Sequence, residues 1–176
     1  MVKLIIGAVI AVFLVIGGFM LLDPVLNPHT VAETTEVATT FTYTIEGEVS
    51  KVGTYTLSDA VSMADLIEAA GGLSSNADER CYFSTASLKA GETYYISGRY
   101  DASDVCGNSE IAKVNINSDN SETLMSVNGI TSSIATSIVS YRQETGTFQT
   151  LEQLKEVYGI GDATYRRIRN YVILHD

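Results

Sequence analysis

One feature restricts this chain more than any other: a short unit is written twice. Residues 129 to 142 read GITSSIATSIVSYR, and residues 159 to 172 read GIGDATYRRIRNYV. In register, Gly129, Ile130, Ile138 and Tyr141 fall on Gly159, Ile160, Ile168 and Tyr171. A Gly-Ile corner ends one helix and begins the next, because glycine tolerates the backbone conformations a tight turn needs. The flanking stretches carry apolar residues at helical spacing, as in Ile134, Ile138 and Tyr141. Four short helices follow, over SETLMSV, SSIATSIVSYRQETG, TLEQLKEVY and GDATYRRIRNYVI. Ser132 or Ser133 caps the second, Gly146 stops it, and Thr150 caps the third. Leu124, Met125 and Val127 are the apolar residues of the first, while Leu151, Leu154 and Val157, then Ile168, Tyr171 and Val172, form inward stripes of the third and fourth. Residues 111–176 therefore predict an all-α domain, with Tyr141 and Tyr171 expected in its core.

Each corner is also a candidate anion site. The helix after it starts at once, so unpaired N–H groups point outward with the positive end of the dipole behind them. That arrangement takes a phosphate without reading bases. The candidate contacts are Gly129, Ile130 and Thr131 at the first corner, and Gly159, Ile160 and Gly161 at the second. Lys155, Arg166, Arg167 and Arg169 are the candidate cations, with Lys113 and Arg142 able to extend the patch. The first corner carries Thr131 where the second carries Gly161, and a β-branched residue resists a positive φ. The first corner is thus expected to serve packing more than phosphate.

Charge must be weighed by region. The chain has 176 residues, 11 Lys plus Arg, 21 Asp plus Glu and a net charge of −10. That excludes a freely diffusing polybasic nucleic-acid binder, whose affinity would come from Lys and Arg. From Ile111 onward, however, six cations meet seven acids, so nine of the ten excess negative charges lie before residue 111.

The start of the chain speaks to location. LIIGAVIAVFLVIGGFMLL, from Leu4 to Leu22, is uncharged and long enough to span a ~30 Å hydrocarbon core. Lys3 precedes it and Asp23 follows, which favours a single-pass anchor at 1–22 with the remainder outside the membrane. A cleaved signal peptide is the rival, but no clear A-x-A site follows Leu22. Residues 23–40 hold both prolines and lack periodicity, as a linker does. Outside the membrane the two cysteines, Cys81 and Cys106, are expected to form a disulfide, two buried free thiols being the alternative. Too few further ligands accompany them for a metal site, and no cofactor is expected. G-x-S-x-G, P-loop and H-E-x-x-H motifs are all missing, so the reading is not an enzyme.

Residues 41–110 have another character. Phe41, Tyr43 and Ile45 alternate with Thr42, Thr44 and Glu46 as in a half-buried strand. TYTL starts a second strand. SMADLIEAAGG is a helix, with Ser62 and Asp65 forming a capping box and two glycines ending it. A further strand runs through Tyr94, Tyr95 and Ile96. Strands with one helix make an α+β domain.

EGEVSKVGTYTL, ADLIEAAGGLSSNAD and LKAGETYYI together resemble the SLBB family, which implies a β-grasp fold that binds ligands or mediates assembly. VNIN at Val114–Asn117, the corner at Gly129, I-x-x-Y-R-x-E-x-G-x-F from Ile138 to Phe148, and L-x-x-V-x-G-I-G from Leu154 to Gly161 resemble the double helix-hairpin-helix domain of ComEA-type competence proteins. That family's first corner usually reads P-G-I-G with a lysine soon after, whereas this one reads Asn128-Gly129-Ile130-Thr131 with Ile134 near the lysine position. The resemblance implies a membrane-anchored receptor that binds double-stranded DNA for uptake in natural transformation. Its partners would be DNA-uptake channel proteins, and its SLBB-like part would form a homo-oligomer or position the DNA domain. A membrane-linked adaptor of a secretion or export assembly, using both domains for protein contacts and no DNA, is the alternative.

Overall fold

The computed structural model describes residues 40–58, 60–101 and 109–176. The expected anchor at 1–22, nearly all of the linker at 23–40, and Cys106 lie outside the described residues. Among the described residues, no helix is long and apolar enough to cross a membrane.

The alternating FTYTIEG run builds β1 (Thr40–Gly47), which pairs antiparallel with β2 (Gly53–Ser58) so that Tyr43 faces Tyr55. On its other edge β1 pairs in parallel with β3 (Thr93–Ile96), giving the order β2-β1-β3. Between β2 and β3 runs α1 (Met63–Ala69). Its capping box forms as expected: the Ser62 N–H donates to Asp65 Oδ2 at 2.8 Å, and the Asp65 N–H donates to Ser62 Oγ at 3.3 Å. Met63, Leu66 and Ile67 are buried in the same core as Tyr43, Ile45, Tyr94 and Ile96. This first lobe is the expected α+β arrangement.

The second lobe contains α2 (Ser121–Leu124), α3 (Ser132–Glu144), a 3-10 helix (Leu151–Glu156) and α4 (Asp162–Ile168). Three details depart from expectation. The third helix is 3-10, with the Gln153 side chain reaching back to accept from the Gln149 and Thr150 N–H groups at 2.6 and 3.4 Å. The cap of α3 is Thr131, whose Oγ1 accepts from the Ile134 N–H at 3.3 Å, and neither Ser132 nor Ser133 serves. The last helix stops at Ile168, because Val172–Ile173 becomes a strand, β5, paired in parallel with β4 (Val114–Asn115). β-branched residues suit such a ladder. It ties the start of the lobe to its end, so the lobe is not purely helical. Ile116, Leu124, Ile138, Phe148, Leu151, Leu154 and Ile168 fill the core.

The described residues all belong to one compact unit, 38–176, and the two lobes share a polar seam. Lys113 Nζ is only 1% exposed and sits 2.8 Å from both Asp78 Oδ2 and Ser97 Oγ. Arg80 pairs with the same carboxylate at 2.9 and 3.0 Å. Burial pushes the Asp78 carboxyl up, but Arg80 and Lys113 outweigh it and hold the group at about 2. Glu152, on the 3-10 helix, accepts at Oε1 from the Tyr95 N–H (2.8 Å) and the Tyr165 hydroxyl (2.7 Å). Its Oε2 is buried without a hydrogen-bond partner, and burial raises its pKa. At the end of the chain, the Leu174 N–H donates to the Arg80 carbonyl (2.8 Å), and the His175 ring lies 4.8 Å from that of Phe83. Cys81 is a free thiol here, fully buried in the first lobe, where desolvation pushes it up to about 11. The expected bridge to Cys106 is therefore not seen.

Candidate nucleic-acid interface

The two corners are built alike where packing sets the rules. Ile130 and Ile160 are both 4% exposed and belong to the same core. Gly129 and Gly159 both adopt positive φ, +113° and +91°, and each lies under a side chain of the other hairpin. A Cβ on Gly129 would stand 2.9 Å from Arg167 Cδ and 3.1 Å from Ile168 Cγ2, both on α4. A Cβ on Gly159 would stand 3.3 Å from Ile134 Cγ1 on α3. The repeated glycine is thus required by both conformation and close approach.

The third corner position corrects the expectation placed on it. Thr131 lies at φ −80°, ψ 168°, and Gly161 at φ −92°, ψ 179°. Both are N-caps in ordinary extended backbone, so Thr131 carries no strain. The corners differ for another reason. The Thr131 hydroxyl occupies one N–H of the α3 first turn, whereas Gly161 has no side chain and leaves the first N–H groups of α4 open.

The candidate cations separate into two groups. Arg166 and Arg167 are exposed on α4 and form no ion pair among the described residues. Arg169 turns to the first lobe: its guanidinium lies 3.5 Å from the centroid of the Tyr95 ring and 3.7 Å from Glu46 Oε2. Lys155 also reaches across, to Glu92 Oε2 at 3.1 Å. Lys113 is sealed in the seam, and Arg142 donates to the Ile116 carbonyl at 2.8 Å. The two corners, Arg166 and Arg167 come together in the second lobe, while Lys155 and Arg169 are held at the lobe boundary.

Two aromatic residues stand where sequence reasoning did not put them. Tyr171, expected in the core, is 44% exposed, since the chain leaves α4 before it. Its counterpart Tyr141 is half-buried, stacked on Phe148 at 4.7 Å, and its hydroxyl donates to Glu156 Oε2 at 2.7 Å. Tyr158, immediately before Gly159, is 85% exposed. The inward stripe of Leu154 and Val157 excluded it from the core, but nothing in the sequence alone marked it for the surface of the corner.

Comparison with known proteins agrees with both lobes. Residues 109–173 match the helix-hairpin-helix motif family, and residues 42–96 match the SLBB domain family. ComE operon protein 1 of Bacillus subtilis is 33% identical over 137 residues, covering 73% of this chain and 67% of that protein. Endonuclease/exonuclease/phosphatase family domain-containing protein 1 of Bos taurus is 47% identical over 60 residues, covering 34% of this chain and 10% of that protein. An uncharacterized protein of Haemophilus influenzae is 45% identical over 62 residues, covering 35% of this chain and 55% of that protein. The last two alignments are far shorter than the first and concern only part of each protein.

Proposed function

The chain belongs to the family of ComE operon protein 1, and on that premise we propose that it is a non-enzymatic competence receptor for double-stranded DNA. The observation that carries this reading is the pair of Gly-Ile corners sharing one core, with Arg166 and Arg167 exposed beside them and forming no ion pair among the described residues. Open N–H groups and unpaired guanidinium groups take phosphate oxygens, not base edges, so binding would be independent of sequence. Gly129, Ile130, Thr131, Gly159, Ile160 and Gly161 would supply backbone contacts, and Arg166 and Arg167 charge. Lys155 and Arg169 would contribute less, because their charges already face Glu92 and Glu46. Leu4–Leu22 would hold the protein in the cell membrane, with the C-terminal lobes extracellular. There they would deliver DNA to uptake-channel proteins for natural transformation, and the SLBB lobe would form a homo-oligomer or position the DNA-binding lobe.

Titrating the full chain with a labelled random duplex tests the reading. Affinity should fall steeply between about 50 and about 200 mM salt. Arg166→Ala with Arg167→Ala should cut affinity about tenfold or more and lower the salt slope by about two units of ~0.9 each. Retention of full affinity by the double variant would remove α4 from the interface.

A second reading has one observation in its favour. Two of the four expected cations are engaged at the lobe boundary, in a chain of net charge −10. This suits an adaptor that binds no DNA. Lack of any duplex binding by the full chain at tens of micromolar, at low salt, would select it.

A further inference from the structure

A cleft of about 490 Å³ lies between the two lobes, within the roughly 300–1,000 Å³ range of small-molecule sites. The first lobe contributes Thr85, Ser87 and Glu92 to its lining, and the 3-10 helix contributes Glu152 and Gln153. Two ion pairs among the lining residues run from lobe to lobe in opposite senses. Lys89 meets Glu156 at 2.6 Å, and Lys155 meets Glu92 at 3.1 Å. Each lysine is thereby matched, and the carboxylate left over is Glu152.

Glu152 is only 7% exposed and forms no ion pair among the described residues. Its Oε1 accepts from the Tyr95 N–H and the Tyr165 hydroxyl, but its buried Oε2 accepts from nothing. A buried polar atom without a partner costs free energy, and beside a cavity a ligand can bring the missing donor. The rest of the lining restricts what that ligand is. No group of three or more His, Cys, Asp or Glu among the described residues is placed to hold a metal ion. An anion would find both lysines already neutralised. A primary ammonium group brings the missing positive charge and three N–H donors together. Around it the cleft is polar and uncharged. The Thr85 and Ser87 hydroxyls are exposed, and Gln153 spends its Oε1 on the Gln149 and Thr150 N–H groups, which leaves its amide nitrogen to donate.

We propose that this cleft binds a small hydroxylated amine, about the size of one amino sugar. Its ammonium group donates to Glu152, and its hydroxyls meet Gln153, Thr85 and Ser87. Both lobes supply contacts, so a bound molecule ties one lobe to the other. Glu152 is already placed for that, since its two donors come from β3 and α4. No corner residue lines the cleft, nor does Arg166 or Arg167, so the site is separate from the proposed DNA interface and does not depend on it.

Calorimetric titration and thermal unfolding of the full chain test this with two probes. D-glucosamine carries the ammonium group, and N-acetyl-D-glucosamine keeps the ring and hydroxyls without it. Glucosamine should bind saturably with a Kd near or below about 1 mM and raise the melting temperature. The acetylated sugar should bind about tenfold more weakly or worse. Glu152→Gln removes the charge and keeps the Oε1 acceptor, so it should lose about tenfold or more of the affinity for glucosamine. Its melting temperature without ligand, compared with wild type at acid pH, checks that the fold is kept. The proposal is overturned if glucosamine fails to bind at tens of millimolar, if the acetylated sugar binds equally well, or if folded Glu152→Gln keeps the wild-type affinity.

Discussion

Gly129 and Gly161 are both corner glycines, yet their side-chain hydrogens do unlike things. Gly129 is at φ +113° under Arg167, so Gly129→Ala meets both backbone strain and a 2.9 Å contact and should cost about 1–3 kcal/mol. Gly161 is an N-cap in extended backbone with nothing within 4 Å of its missing Cβ, so in Gly161→Ala the gain of about 0.4–1 kcal/mol from a stiffer unfolded chain is offset by the poorer capping of alanine, and stability should change by less than about 1 kcal/mol. Urea unfolding of the two variants gives the comparison directly. At Glu152 the expected behaviour is a pH dependence. Both donors meet Oε1 and none meets the buried Oε2, so the charged carboxylate is left poorly compensated there. Its folded pKa lies above the unfolded one because of burial. Its contribution is therefore whole below about pH 4.3 and is lost as pH rises through the folded value. Glu152→Gln keeps the Oε1 acceptor without the ionisation. Its melting temperature should equal wild type at acid pH and exceed it at pH 8.

At the scale of elements, the repeated unit sets the corners and the surroundings set the rest. The third helix reads as α by its Leu151, Leu154, Val157 stripe, but Gln153 folds back onto the N–H groups before it, and the six residues close as 3-10. The last helix reads as continuous to Ile173, yet pairing with Val114–Asn115 takes its final residues into a ladder and turns Tyr171 outward. No local propensity announces a partner almost sixty residues away. Thr131 was legible as β-branched, but its role as a strain-free cap needed the backbone angles. Thr131→Ala should cost about 0.5–2 kcal/mol, toward the low end given a 3.3 Å cap bond, and thermal unfolding measures it.

For the whole molecule, the seam between lobes decides how it unfolds and which charges remain available. Asp78 has a folded pKa of about 2, below its unfolded value near ~3.9. Its stabilisation is complete above about pH 4 and disappears as pH falls toward 2, so the melting temperature should drop most steeply in that window. Lys113→Ala would leave Asp78 buried with Arg80 alone and should cost about 3–5 kcal/mol. Both lobes should melt in one transition, as followed by tyrosine absorbance and far-UV dichroism. Cys81 should resist maleimide in the native protein and react in denaturant without reductant, as read by mass spectrometry of its peptide.

The order of elements, the two lobes and the paired corners are determined by the sequence itself, because alternation, helical spacing and Gly-Ile corners are local patterns that burial enforces wherever the chain folds. The charge of the interface was decided only in three dimensions. Six cations in the last 66 residues look interchangeable in a row of letters. Folding sends Lys113, Lys155 and Arg169 to acids or an aromatic ring of the first lobe, and Arg142 to a carbonyl. It leaves Arg166 and Arg167 facing water. A charge is available to a ligand only if no nearer opposite charge already holds it, and that depends on distances across the lobe boundary.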